Sequence, residues 1–384
     1  MKKTPLLLLL LLCLSAEVFA QAPVLSGLLD TKLTLAGGSD PSEIRFGAEE
    51  YANLRLKVNV GERASVFTSF NLTAAAGSTA LVASMLNNSP AHSLPLTAFS
   101  GGENYIAALE LERLYFRINS ELLDVEAGLM RLAFGYGQVW GPSDFLNPRN
   151  PLHPDARPRA ILGSSVSLYP SDTSKIQAFA AAPKNAFEQD GNGALFGLSG
   201  DKHWDRASVQ LLYTYEIPKA ETPDGLHYAG LSVKAEVELG LTAEVFYMYD
   251  NRDRAGFDGI AASAGFDYSF FDGSLYILAE YFFSGKKSFS SAVYEKRNYL
   301  YAMLMYRFND YTNASLSCVA GLDDISFSPV IGFEHDLFQG ATLSFTGRVP
   351  LDRDTFSGNE KHGELGPDST DTSFEITAKL RMRF

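Results

Sequence analysis

The chain contains little cysteine and no long apolar stretch beyond its N-terminus. Its 384 residues include two cysteines, Cys13 and Cys318, so a fold held together by several disulfides is excluded. After the first apolar run, no segment approaches the roughly twenty apolar residues that a membrane helix needs. No long stretch shows a 3.6-residue apolar period either. These absences exclude a small disulfide-stabilised domain and a bundle of membrane helices.

Signatures of catalysis and of metal binding are also missing. Neither HExxH nor GxSxG occurs, and most of the histidines fall in predicted loops or turns: His92, His153, His203, His227, His335 and His362. We therefore expect no enzymatic activity, no catalytic residues, no metal site and no cofactor. The formal net charge is −13, and an acidic chain of this kind argues against a nucleic-acid partner.

The N-terminus has the features of a secretory signal. Lys2 and Lys3 precede an apolar run, and small residues follow it up to Ala20. This pattern predicts a signal peptide over residues 1–20 and a mature domain over residues 21–384. A lipoprotein cleaved before Cys13 fits less well, because leucines rather than small residues precede that cysteine. An uncleaved anchor would need a longer apolar run.

Alternation of apolar and polar residues recurs along the mature chain. The clearest run puts Ala52, Leu54, Leu56, Val58 and Val60 on one face and Tyr51, Asn53, Arg55, Lys57 and Asn59 on the other. Eighteen such runs lie between Leu29 and Phe384, and each predicts a β-strand. A barrel with both termini on one side of a membrane requires an even number. The Asp323-Asp324 link is unusually short for an external loop, and a missed pairing there would reduce the count to sixteen.

The connections between these runs alternate in length, as they do in outer-membrane barrels. Short links occur near Gly61, Ser120, Ser171, Lys202, Leu239, Asp272, Asn309 and Asp336, and the longest links span residues 73–104, 131–159 and 350–371. A soluble sandwich also has alternating strands. The signal peptide and the loop lengths favour an all-β fold, a transmembrane antiparallel up-and-down β-barrel.

The last strand resembles the closing strand of bacterial outer-membrane β-barrels. One face is wholly apolar, and it is formed by Phe374, Ile376, Ala378, Leu380, Met382 and Phe384. In such barrels the assembly machinery recognises the terminal aromatic residue. The resemblance therefore implies the barrel assembly machinery as a partner of this strand, and a location in the bacterial outer membrane.

Three further stretches carry a resemblance to porin-like outer-membrane barrels, a group that includes alginate-export-type channels. They are GLMRLAFGYGQVWGPSDFLNP at residues 128–148, GFDYSFFDGSLYILAEYFFSG at residues 265–285, and Gly-Glu-Leu-Gly at residues 363–366, where relatives often have Phe in place of Leu365. The resemblance implies a barrel in contact with membrane lipid, and it names no ligand.

With the apolar face toward lipid, the polar face supplies the pore lining. Its charged members are Asp30, Lys32, Arg55, Lys57, Asp124, Glu126, Lys234, Glu236, Glu244, Asp267, Glu280, Arg348, Glu375, Lys379 and Arg381. Charges facing lipid would each cost about 2–4 kcal/mol near the midplane, so their confinement to one face indicates a wet interior. Many of them are also expected to pair across neighbouring strands and hold the wall together.

The segment 131–159 is the candidate for a pore constriction, because it is long, bracketed by prolines and rich in glycine, aromatic residues and charge. Its candidate residues are Arg131, Tyr136, Trp140, Asp144, Arg149, Arg157 and Arg159. Such a loop could instead cap the mouth of the barrel. The predicted function is a channel for passive or weakly selective diffusion of small hydrophilic solutes. The alternative is a closed barrel that acts as an adhesin, scaffold or export conduit. The oligomeric state stays open, since apolar faces between subunits resemble lipid-facing ones.

Overall fold

The structure is a computed structural model. It describes residues 22–38, 44–77, 97–102, 104–147, 149, 151–152, 160–182, 193–218, 225–250, 256–285, 298–351, 365 and 373–384. The predicted signal peptide lies outside these residues, as does most of the predicted 350–371 loop. Over the part of the chain that is described, no helix has the length and apolar composition needed to cross a membrane.

Nineteen β-strands are present in the described residues. They are β1 Val24–Gly37, β2 Arg45–Val60, β3 Ala64–Gly77, β4 Thr97–Gly101, β5 Tyr105–Asn119, β6 Leu123–Met130, β7 Ile161–Ser171, β8 Ser174–Ala182, β9 Leu195–Trp204, β10 Ala207–Glu216, β11 Leu226–Glu236, β12 Gly240–Asp250, β13 Ile260–Phe270, β14 Leu275–Ser284, β15 Asn298–Asn309, β16 Thr312–Gly321, β17 Ser326–Phe338, β18 Ala341–Arg348 and β19 Phe374–Arg383.

Eighteen of these strands form a closed antiparallel barrel. Each strand pairs with the next along the chain, β3 pairs directly with β5, and β1 pairs with both β2 and β19. Closure pairs each of the eighteen strands with a neighbour on both sides, which is the condition for β-structure in a bilayer. The predicted fold class and the count of eighteen are confirmed. The short connection 322–325 joins two complete strands, β16 and β17, so the count does not fall to sixteen.

The sequence alternation maps onto the two faces of the wall. In β2, Phe46 on the outer face is 72% exposed, whereas Asn53 on the inner face is fully buried. Large apolar side chains are exposed on the outside along many strands, among them Leu211, Leu316 and Ile331. Tyr213 and Tyr281 lie toward the loop ends of their strands, and Phe308 toward the turn end of β15. An apolar band flanked by aromatic residues is the surface that a transmembrane barrel presents to lipid.

The closing strand joins the two ends of the chain. Leu29 in β1 lies opposite Met382 in β19, and Gly27 and Phe384 exchange two backbone hydrogen bonds of 2.8 and 3.2 Å. A Cβ on Gly27 would lie 2.8 Å from the Phe384 ring. The Phe384 ring therefore packs against Gly27, where a larger residue would collide with it.

Strand β4 pairs with the part of β5 that β6 is too short to reach. That strand ends at Met130, and its partners on β5 are residues 114–119. The upper part of β5 pairs instead with β4, with Thr97 opposite Glu110 and Gly101 opposite Ile106. The sequence did not predict β4, and strands occupy both ends of the predicted 73–104 loop, since β3 runs to Gly77. Thus β4 covers the edge of β5 that is left open where the chain turns into the barrel.

Candidate functional site

After Met130 the chain leaves the wall and runs inside the barrel. We call residues 131–152 the inward segment; the structure describes all of them except 148 and 150. The segment packs on the inner faces of β7 to β16, where two apolar clusters hold it. One cluster contains Leu132 and Phe134 of the segment, and the other contains Val139 and Trp140. The segment therefore covers apolar side chains of the inner wall on this side.

Glu280 of β14 holds the middle of the inward segment. Its carboxylate accepts backbone hydrogen bonds from Gln138 at 3.1 Å, from Val139 at 3.1 Å and from Trp140 at 2.9 Å. The side chain is only 1% exposed. Hydrogen bonds to an ionised acceptor are the stronger kind, so three successive donors on one carboxylate fix this part of the backbone.

Glu244 of β12 binds the backbone on either side of this stretch in the same way. It accepts backbone hydrogen bonds from Tyr136, from Gly137 at 2.5 Å and from Ser143 at 3.1 Å. It too is 1% exposed. Gly135 has a positive φ of 81°, and a Cβ there would lie 2.3 Å from Glu244 Oε1. The glycines of the segment thus let its backbone approach the carboxylate closely.

Aromatic stacking adds to this attachment. Trp140 is fully buried and stacks on Phe282 with ring centroids 5.3 Å apart. Phe145 stacks against Tyr228 at 5.0 Å and against Phe246 at 5.3 Å. Such pairs contribute about 0.5–1.5 kcal/mol each beyond the area they bury. Leu365, from the Gly-Glu-Leu-Gly stretch, joins the same cluster as Trp140 and is almost fully buried.

Asp144 and Arg149 stabilise the segment from within. Asp144 accepts from the Phe134 N–H at 3.3 Å and from Asn147 Nδ2 at 3.1 Å. Arg149 Nη1 donates to the carbonyls of Gly137 at 2.5 Å and Gln138 at 3.3 Å, and its side chain is exposed. Burial raises the pKa of Asp144 to about 7, although its hydrogen bonds and Arg149 oppose the shift.

The raised pKa of Asp144 predicts a pH dependence of docking. An undocked aspartate titrates near its ordinary value of 3.8, so the docked state holds the proton more tightly. Docking is therefore most stable below about pH 4 and weakens as the pH rises to about 7, by at most about 1.4 kcal/mol per pH unit. We expect Trp140 fluorescence, measured with Trp204 replaced by Phe, to shift toward that of a solvated indole between pH 4 and pH 7.

Asp144→Asn supplies the control for this pH dependence. Asparagine keeps an acceptor oxygen for the Phe134 N–H and does not titrate, so the fluorescence of this variant should stay constant over the same range. An identical pH response in the Asp144→Asn variant would mean that another group is responsible.

The other predicted constriction residues lie at different places on the segment. Arg131 is its first residue and forms an ion pair with Glu112 of β5. The Tyr136 hydroxyl donates to Asp201 at 3.4 Å, and burial together with Asp201 raises its pKa to about 12. Arg157 and Arg159 lie outside the described residues. Arg131, Tyr136, Trp140, Asp144 and Arg149 thus all lie inside the barrel, at separate points along the segment.

The predicted lumen-lining residues differ in what they contact. Glu244 and Glu280 are on the inner wall but are covered by the inward segment, and Asp267 also binds it, accepting from Gln138 Nε2 at 2.5 Å. Others form contacts within the wall: Arg381 with Asp30, Glu126 with Arg117, Lys234 with Glu236, Arg348 with Ser328, and Glu375 with Thr377. Arg55 donates to Asn53, Lys57 is exposed, and Lys32 lies opposite Lys379.

Sequence reasoning missed a group of polar residues on β2, β3 and β5. Asn53, Ser69 and Glu112 are buried in one hydrogen-bonded network that includes Arg131. One signal for it was present. The apolar alternation of β5 slips by one residue between Leu111 and Leu114, which is what a β-bulge produces.

The fold is similar to that of solved porins. Crystal structures of OccAB4 from Acinetobacter baumannii and of a BenF-like porin from Pseudomonas fluorescens Pf-5 each superpose with a TM-score of 0.56, at 12% and 8% identity. The alignments cover 95% of this chain and 98% and 99% of those chains. OccK5 (OpdH) from Pseudomonas aeruginosa gives 0.54 at 9% identity, with 94% of this chain and 97% of that chain covered.

Comparison at the level of sequence adds no relative. No protein-family model matches the chain, and no curated protein matches it. The chain has the fold of porins and an apolar outer surface. These are the features of a bacterial outer-membrane β-barrel of the porin type.

Proposed function

We propose that this chain is an outer-membrane channel for passive or weakly selective diffusion of small hydrophilic solutes, narrowed by the inward segment. One observation carries the proposal: the segment is bound inside the barrel, to the inner faces of β7 to β16. An eighteen-stranded barrel is wide enough for an aqueous passage. A segment docked on the inner wall narrows such a passage.

Polar side chains on the rest of the inner wall support passage of hydrophilic solutes. On β1 and β19, Asp30 accepts two hydrogen bonds from Arg381, both of 2.8 Å. On β17 and β18, Ser328 accepts from Arg348 at 2.9 Å. Paired charges and hydroxyls of this kind replace part of the hydration of a small solute and hold no single ion tightly. The mixed signs favour weak selectivity.

The membrane partners follow from the same architecture. The apolar outer surface contacts lipid, and the C-terminal strand ends on Phe384, which is 63% exposed at the turn end of the barrel. We propose that the barrel assembly machinery binds this strand during insertion. The solved porins that the chain resembles in fold agree with a channel, at identities of 8–12%.

Single-channel recording tests the proposal. The purified folded protein, added to a planar bilayer in potassium chloride, should give steady ohmic steps. A silent bilayer, with folding verified by heat-modifiable migration on a gel, would reject the channel. That result would favour a closed barrel that acts as an adhesin, scaffold or export conduit.

A further inference from the structure

Glu112 occupies a β-bulge in the wall strand that faces the start of the inward segment. Ser69 of β3 lies opposite Arg113 of β5, whereas the next residue, Phe70, lies opposite Leu111. Glu112 is therefore the extra residue of the bulge. A bulge interrupts the alternation of faces, so Glu112 and Arg113 both lie on the inner side, with only 7% and 16% of their side chains exposed.

The wall holds the Glu112 carboxylate in one orientation. Its Oε2 accepts from Asn53 Nδ2 and from Ser69 Oγ, both at 2.8 Å, and Arg113 Nε lies 3.9 Å from the same oxygen. Asn53 is itself fixed, because its amide also donates to Asn71 Oδ1 at 2.7 Å and its Oδ1 accepts from Arg55 at 2.5 Å. Two donors on one oxygen leave the other oxygen, Oε1, to bind Arg131 Nη2.

Arg131 is the residue at which the chain leaves β6 for the lumen. Glu244 and Glu280 hold the segment farther along, from Tyr136 to Ser143. Near its start, the Glu112–Arg131 ion pair attaches it to the wall on the β5 side of the point of departure. The direction in which the segment enters the lumen therefore depends on this pair.

We propose that Glu112 is a positioning residue of the constriction: Asn53 and Ser69 orient its carboxylate toward Arg131, and this contact sets where the inward segment leaves the wall. Alternation from Glu110, which accepts from Asn71 on the inner side, places residue 112 on that side, and the bulge brings Arg113 to the same side next to it. The expected effect of this contact on conductance rests on the proposed function. Its effect on the position of the segment does not, because that position can be measured without recording a current.

A purely structural role for Glu112 in the barrel wall would have different consequences. Glu126 of β6 provides a matched control, because it is also a carboxylate on the inner wall and pairs with Arg117 of the neighbouring strand β5. Its ion pair joins two wall strands and no residue of the segment. Loss of either carboxylate removes one negative charge from the lumen, and only loss of Glu112 removes an attachment of the segment.

The experiment compares Glu112→Gln and Glu126→Gln in the full-length folded protein by hydrogen–deuterium exchange and by bilayer recording. A hydrogen bond between charged groups contributes enough to slow local opening by about tenfold or more. We expect amides of residues 132–147 to exchange about tenfold faster in Glu112→Gln and at the wild-type rate in Glu126→Gln. Unchanged exchange in Glu112→Gln, or equal acceleration in both variants, would overturn the proposal.

Two further measurements keep the outcomes distinct. If Glu112→Gln fails to fold, Arg131→Gln breaks the same contact from the segment side, and the same acceleration is expected; wild-type exchange there overturns the inference. In the bilayer, unit conductance should change in Glu112→Gln and stay constant in Glu126→Gln. Faster exchange in a protein that never conducts would uphold the positioning role and reject the proposed channel.

Discussion

Glu280→Gln is expected to release the inward segment from the wall and to raise the unit conductance several-fold. In the native protein the carboxylate accepts three successive backbone N–H groups, from Gln138, Val139 and Trp140. Glutamine has the same shape, but it replaces one acceptor oxygen with an NH₂ donor that faces those N–H groups. A buried donor left without an acceptor costs about 1–3 kcal/mol, and the charge assistance is lost as well.

The release can be measured by fluorescence and by conductance. Trp140 is fully buried against Phe282, so its emission should shift to longer wavelength when the segment leaves the wall. Trp204 is replaced by Phe in both proteins, so that the signal comes from one indole. In single-channel recordings the unit conductance should rise, because the segment no longer narrows the proposed passage.

Glu375→Gln is the matched control. Glu375 also lies on the inner wall, on β19, where it accepts from Thr377 of its own strand at 3.3 Å. This variant loses the same charge and keeps every contact of Glu280, so its Trp140 emission and unit conductance should equal those of the wild type. Wild-type emission and conductance in Glu280→Gln would show that this glutamate does not anchor the segment.

Leu316→Lys is expected to destabilise the folded barrel by about 2–4 kcal/mol, the cost of a cation on the lipid face near the bilayer midplane. Leu316 lies near the middle of β16, and 52% of its side chain is exposed on the outer face. A lysine placed there either loses its hydration or distorts the surrounding lipid. Urea titration of the protein refolded in lipid vesicles measures the change in the free energy of unfolding.

The neighbouring residue supplies the control for this prediction. Ser317 lies beside Leu316 in the same strand and faces the lumen, opposite Met303 and Val330. Since successive side chains of a strand point to opposite faces, Ser317→Lys places the same charge on the lumen side of the wall, away from lipid. We expect a much smaller loss of stability. Equal destabilisation by the two substitutions would contradict the assignment of lipid to the outer face.

The wall of the barrel could be predicted from local patterns. The run from Ala52 to Val60 assigned each residue to a face from its parity alone, and β2 has the predicted arrangement, with Asn53 buried inside. The alternation of short and long links predicted that the short turns lie at one end of the barrel. The slip between Leu111 and Leu114 also marked the bulge, but one irregularity in a single sequence does not show what the extra residue binds.

Parity alone could not tell whether an inner residue meets water or protein. The alternation within each strand puts Glu244, Glu280, Asp267 and Lys234 alike on the inner face, and all four were predicted to line the lumen. The structure covers the two glutamates with the backbone of the inward segment. Their partners are more than 100 residues away in the sequence, and backbone N–H groups carry no sequence signal.

The sequence by itself determined the eighteen strands, their register of faces and the apolar outer surface, because a period of two residues is a local property that each strand carries without its neighbours. Tertiary structure alone decided that residues 131–152 lie against β12 and β14, that β4 fills the edge left by β6, and that Glu112 meets Arg131. These contacts join groups that are distant along the chain, and they arise only after closure of the barrel has brought the inner faces around one enclosed space.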